Sequence, residues 1–265
     1  MRTVTSKDGT RIAFEQSGEG PAIILVLGAF NDRATGAPLA RFLEPRFTVF
    51  NYDRRGRGES GDTAPYAIER EIEDLDALIA TGGGSACVFG YSSGAVLSLR
   101  AAAHGPAISQ LALYEPPPTG AIPGTLAPQL TELISTGRRG DAVELYQTEA
   151  VGIPAAVVAQ LRNAPFRPAL EKMAHTLVYE LTVVSALPSG LLASVRVPTL
   201  VLDGGNSPEV MRHAAHSLAD ALPEGHYRTL EGQTHDIVPA VVGPVLEEFF
   251  LAQSSSKKAG QQASQ

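Results

Sequence analysis

Tryptophan is absent from this chain of 265 residues, cysteine occurs once and methionine three times. A lone cysteine cannot close an internal disulfide, which excludes a disulfide-stapled fold and leads us to expect a reducing, cytoplasmic setting. Cys87 falls inside the apolar stretch 86–89 and is expected to serve packing alone. With no tryptophan, any aromatic clamp on a ligand has to come from phenylalanine or tyrosine. Long hydrophobic runs are missing as well. The longest, residues 22–27, falls far short of the roughly 20 residues that span a bilayer. The N-terminus carries Arg2, Lys7, Asp8 and Arg11 and no apolar segment of the secretory type, so neither export nor a membrane partner is expected. A basic excess is also lacking, because the net charge is −7. The single short run Arg54-Arg55-Gly56-Arg57-Gly58 in an acidic chain does not make a nucleic-acid surface. His213 and His216 stand three apart on a helical stretch, but few carboxylates surround them, so a solvated face is expected there rather than a metal site.

What is present is a globular composition, 44% hydrophobic and 18% charged. The length suits one α/β core with insertions. Two strands are expected in residues 1–17, joined at Lys7-Asp8-Gly9-Thr10, since Asp-Gly is a strong hairpin signal. Residues 22–27 read as a strand covered on both faces. A short helix is expected at 39–43 and a strand at 47–50. Residues 51–60 form a glycine-punctuated loop in which Asp53 is expected to pair with the neighbouring arginines. A helix at 66–80 places Ile68, Ile72, Leu75 and Ile79 on one face. Strands follow at 85–89, 109–114, 197–203 and 226–230, with helices at 95–103, 208–222 and 241–252. Between 116 and 188, Pro123, Pro128, Pro154, Pro165 and Pro168 interrupt helical stretches, and no strand pattern is seen. That segment reads as a helical lid over a core made of residues 1–115 and 189–252. A disordered tail is expected over 253–265 because it lacks large apolar residues.

The stretch Gly90-Tyr91-Ser92-Ser93-Gly94 leaves an apolar strand and opens a small-residue helix. This is the strand, sharp turn and helix context of a nucleophile elbow. Taken alone it also describes an ordinary Gly/Ser turn. A serine hydroxyl at neutral pH needs a base with a pKa near 7. Of the six histidines, His235 is the one in a loop directly after the last strand.

Together these stretches resemble the α/β-hydrolase superfamily over residues 1–252. The resemblance is carried by Gly90-Tyr91-Ser92-Ser93-Gly94, by residues 52–60, by Leu111-Ala112-Leu113-Tyr114-Glu115-Pro116-Pro117, by residues 197–202, and by Glu231-Gly232-Gln233-Thr234-His235, all in the family's order. It implies an α/β-hydrolase fold, a mostly parallel eight-stranded sheet flanked by helices, with Ser92 as nucleophile and His235 as base. The family usually supplies the acid in a G-x-x-D turn after the penultimate strand. Here that turn is Gly204-Gly205-Asn206-Ser207, and serine stands where the aspartate would be. Two carboxylates remain as candidates. Glu115, at the end of the strand after the elbow helix, is preferred, since some relatives such as zearalenone-type lactonases place their acid there. Asp203 is the alternative.

The resemblance puts the oxyanion donors at the backbone N–H groups of Ala29 and Ser93. Many relatives carry His-Gly at positions 27–28, and this chain keeps only Gly28. Phe30 and Tyr91 are expected substrate contacts. Lid residues such as Leu126, Leu130, Val157, Phe166 and Leu177 are either pocket wall or internal packing. The expected activity is that of a serine hydrolase cleaving a small carboxylic ester or lactone through an acyl-serine, with no metal or cofactor, acting on a small molecule as a monomer or homodimer. The alternatives are a cofactor-free lyase, cyclase or C–C hydrolase on the same scaffold, or a non-catalytic ligand binder.

Overall fold

The computed structural model describes residues 1–262, those from 253 onward by backbone alone; the tail expected over 253–265 lies outside the fully described residues. The chain opens with β1 (Arg2–Thr5) and β2 (Arg11–Ser17), an antiparallel pair joined through the Asp-Gly turn. Then come β3 (Ala22–Val26), α1 (Arg33–Leu43), β4 (Thr48–Tyr52), α2 (Ile68–Thr81), β5 (Ala86–Tyr91), α3 (Ser93–His104) and β6 (Ile108–Tyr114). The segment after β6 holds α4 (Leu126–Ser135), α5 (Arg139–Glu149), α6 (Ala155–Gln160), α7 (Arg167–Lys172) and α8 (Leu177–Val183). The chain returns through α9 (Leu191–Ser194), β7 (Thr199–Gly204), α10 (Glu209–Ala221), β8 (Gly225–Leu230) and α11 (Pro239–Gln262).

The eight strands make one sheet in the order β1-β2-β4-β3-β5-β6-β7-β8, parallel from β4 to β8. Side chains alternate between two apolar layers, as a pleated strand requires. Ile24, Val26 and Val88 face a cluster built with Leu75 and Leu78 of α2 and Val96 and Leu99 of α3. Ile23, Leu25 and Phe89 face the other side, against Leu39 and Leu43 of α1 and Leu246 and Phe250 of α11. Cys87 is buried in that second layer. Double burial explains why the central strands read as unbroken apolar runs.

Helix α1 is longer than its sequence pattern suggested. Asp32 caps it by accepting a hydrogen bond from the Ala34 N–H at 2.9 Å, and the helix runs through Pro38. Gly36 and Pro38 hide the helical pattern in its first half, and tertiary packing overrides them.

The arginine loop also differs from expectation. Asp53 pairs with Arg33, whose backbone N–H and Nε donate to it at 2.8 and 2.9 Å, and not with Arg54, Arg55 or Arg57; the Glu59 N–H also donates to it at 2.9 Å. Arg54 forks onto Glu71 at 2.7 Å and reaches Glu180 on α8 at 2.9 Å. Arg55 forks onto Asp74 at 2.8 and 2.7 Å. Arg57 also bonds Glu180, and its Nη1 donates to the Gly28 carbonyl at 2.6 Å. All three guanidiniums are buried, and one aspartate cannot neutralise three of them. The partners therefore come from α2, from α8 and, for Arg55, from Asp8 in the β1–β2 turn at 2.9 Å, and Arg57 ties α8 to the loop after β3.

Candidate active site

Strand register brings the site together. Val26 of β3 lies opposite Gly90 of β5, Tyr91 of β5 opposite Tyr114 of β6, and Tyr114 opposite Leu202 of β7. The loops that leave these strands meet at the carboxyl edge of the parallel sheet, where α/β folds bind ligands. Three non-glycine residues have φ above zero among the described residues: Phe30 (60°), Ser92 (55°) and Glu115 (54°). All three are first or early residues of those loops, and backbone strain of this kind collects at functional sites.

Ser92 is held by its own N–H, which donates to the Tyr114 carbonyl at 2.9 Å, before α3 begins at Ser93. The flanking glycines are needed for contact, not only for the turn. A Cβ at Gly94 would run into the carbonyls of Val26 and Leu27, and one at Gly28 would stand 2.8 Å from the Ser92 Cβ.

His235 Nε2 lies 3.2 Å from Ser92 Oγ, and His235 Nδ1 lies 3.2 Å from Glu115 Oε2. The imidazole is 43% exposed, while the Glu115 side chain is fully buried. The other Glu115 oxygen accepts from the Gly204 N–H at 2.7 Å. Burial works against a charge on Glu115. The hydrogen bonds from His235 and Gly204 outweigh it and hold the carboxyl below its ordinary value. A carboxylate only accepts, so Nδ1 carries the proton and a neutral ring leaves Nε2 free to accept from Ser92.

Of the two candidate acids, only Glu115 meets His235. Strand alternation turns Asp203 to the opposite face from Leu202, where the Tyr227 hydroxyl donates to it at 2.7 Å. The turn that lacks the usual aspartate still contributes, since the Gly204 N–H donates to Glu115.

Ala29 and Ser93 are adjacent as expected, but the Ala29 N–H already has a partner. It donates to the side-chain oxygen of Ser93 at 3.0 Å. The Ser93 N–H opens the helix and so has no carbonyl in a preceding turn. Phe30 packs edge-on against Tyr146 of α5 at 5.5 Å, joining the loop after β3 to the helical segment after β6. Tyr91 is buried, with its ring 5.0 Å from that of His235, so it packs beside the imidazole. Among the lid candidates, Leu126, Leu130 and Leu177 fill the lid's own core, while Val157 and Phe166 are 43% and 51% exposed.

One supporting residue escaped the sequence reading. The Tyr114 hydroxyl donates to the Thr234 carbonyl at 2.6 Å, which fixes the loop that presents His235. Its only sequence signal is a polar-tipped residue ending an apolar strand. The remaining histidines lie elsewhere: His213 is near Ser217, His216 pairs with Asp220, and no group of three metal-ligating side chains is found among the described residues.

Comparison with known proteins follows this geometry. A family model described as the alpha/beta hydrolase family matches residues 23–242. N-formylmaleamate deformylase of Pseudomonas putida is 30% identical over 231 residues, 83% of this chain and 84% of its own. A crystal structure of an alpha/beta hydrolase from Sphaerobacter thermophilus is 53% identical, covers 94% of this chain and 100% of its own, and superposes with a TM-score of 0.89. An enol-lactonase from Burkholderia xenovorans shares the fold at 21% identity, with full coverage of both chains and a TM-score of 0.68.

Proposed function

The chain belongs to the alpha/beta hydrolase family, and from that premise we propose that it is a serine hydrolase of small carboxylic esters or lactones. The observation that carries this reading is the hydrogen-bonded chain from Ser92 through His235 to Glu115, with the serine lifted on a strained elbow. His235 Nε2 takes the Ser92 proton as Oγ attacks the carbonyl carbon. The buried Glu115 anion stabilises the imidazolium that results. The backbone N–H groups of Ala29 and Ser93 receive the negative charge on the carbonyl oxygen. The tetrahedral intermediate then collapses, the C–O bond breaks, and the leaving oxygen takes the proton from His235. Water loses a proton to His235 and attacks the acyl-serine; the C–Oγ bond then breaks, Ser92 Oγ takes the proton back from His235, and the acid is released.

Phe30 and the lid face across from it supply the apolar wall for the acyl or alkyl group. No metal or cofactor takes part in these steps. The substrate is the partner, the working site is the cytoplasm, and the enzyme acts as a monomer or homodimer. A second reading, cleavage of an N-acyl bond by the same steps, is favoured by the deformylase relative.

The test is labelling with a fluorophosphonate followed by intact mass, together with turnover of a panel of short p-nitrophenyl esters and lactones. We expect one adduct on Ser92, lost in Ser92→Ala along with turnover. An unlabelled protein whose Ser92→Ala variant still converts its substrate would favour lyase or C–C bond chemistry instead.

A further inference from the structure

Ser93 enters the site twice, through its N–H and through its hydroxyl. Ser93 is 3% exposed as a residue, and its hydroxyl lies at the contact between the elbow and the loop after β3. It accepts the Ala29 N–H at 3.0 Å, and a Cβ on Gly28 would stand 3.2 Å from the same oxygen. It therefore sits on the Ala29 N–H, one of the two backbone donors of the proposed oxyanion site. A serine hydroxyl also has one proton to give. Among the described hydrogen bonds this hydroxyl gives none. Ser98, further along α3, returns its proton to the Gly94 carbonyl at 2.8 Å. Ser93 has no such outlet, because the residue four before it is Phe89, inside strand β5.

We propose that the Ser93 hydroxyl is a third oxyanion donor. In the resting protein it stands in for the substrate oxygen and holds the Ala29 N–H in place. When the substrate carbonyl enters, the hydroxyl turns about χ1, releases Ala29 and directs its O–H at the developing charge. The exchange is favourable because hydrogen bonds to a charged acceptor are about twice as strong as those between neutral groups. The inference rests on the acyl-serine reading above and adds a side-chain role to the elbow.

The test compares Ser93→Ala, Ser93→Thr and Ser93→Cys on one p-nitrophenyl ester and with a trifluoromethyl ketone, which adds to the nucleophile as an oxyanion. Ser93→Ala is expected to lower kcat by about 10- to 100-fold, less than loss of a fixed backbone donor, because the freed Ala29 N–H offsets part of the loss. KM should move by no more than about twofold, as for a contact made only in the transition state. Ketone affinity should fall by the same factor as kcat, Ser93→Thr should recover most of it, and Ser93→Cys, a weak donor, should resemble alanine. If Ser93→Ala is too unstable to assay, the threonine and cysteine pair carries the comparison. Equal or higher kcat and equal ketone affinity without the hydroxyl would overturn the inference and leave Ser93 as a mere plug. A wild-type protein that no fluorophosphonate labels would instead bring down the acyl-serine reading, and this inference with it.

Discussion

Glu115 and His235, 120 residues apart in the chain, meet at 3.2 Å between Oε2 and Nδ1. In the proposed triad this contact puts the acid directly after β6, one strand nearer Ser92 than the turn after β7. Replacement of Glu115 by glutamine keeps the volume but removes the anion and allows the wrong imidazole tautomer. We expect kcat on esters to fall about 10³- to 10⁴-fold, the scale seen when a triad acid is made neutral. Asp203→Asn should cost less than about tenfold, since Asp203 bonds Tyr227 and not the imidazole. Steady-state kinetics of the two variants decides between the carboxylates, and the reverse ranking would move the acid to β7.

The same carboxyl makes stability depend on pH. Its folded pKa lies below its ordinary value of about 4.3. A group shifted in that direction contributes stability above the unfolded value and loses it as pH falls through the folded one. Thermal melts of the native protein and Glu115→Gln should therefore converge as pH is lowered from about 6 towards 3. A gap that stays constant over that range would show that the charge on Glu115 adds nothing to folding.

Gly28 is set by contact with the elbow. An added methyl would stand 2.8 Å from the Ser92 Cβ and 3.0 Å from the Tyr91 carbonyl, so either the loop or the serine has to shift. Gly28→Ala is expected to cost about 100-fold in kcat, the usual penalty for misplacing reacting groups by about 1 Å. Far-ultraviolet dichroism should remain native. An alanine variant with native turnover would show that the loop has slack the packing does not suggest.

Glu180 is the lid's buried anion. It serves both Arg54 and Arg57, and Arg57 in turn holds the carbonyl of Gly28. Glu180→Ala leaves two buried guanidiniums short of a partner, and we expect a loss of about 3–5 kcal/mol in denaturant unfolding. Because Arg57 also anchors the oxyanion loop, the surviving folded protein should show a lower kcat. A variant of unchanged stability would mean that the guanidiniums find other acceptors.

Local pattern sufficed for much of the molecule. Alternating and continuous apolar runs marked the sheet, because a strand covered on two faces has to be apolar throughout. The glycine spacing around Ser92 marked the elbow, because only a residue without Cβ can lie against the carbonyls of Val26 and Leu27. The helix at Arg33–Leu43 was half hidden, since Gly36 and Pro38 obscure a propensity that packing then overrides. The pairing of the arginine loop was not legible because charge partners are chosen by burial and not by sequence distance: Asp53 pairs with Arg33, and the guanidiniums with α2, α8 and Asp8.

From residue order alone the elbow serine, the loop histidine and two rival carboxylates could be named. The resemblance already favoured Glu115 over Asp203, but that Glu115 meets His235 while Asp203 meets Tyr227 depends on which way each strand end points once the sheet has paired. The same holds for the Tyr114 hydroxyl on the histidine loop and the Ser93 hydroxyl on Ala29. A hydrogen bond is decided within a few tenths of an ångström, and only the folded register brings distant groups to that separation.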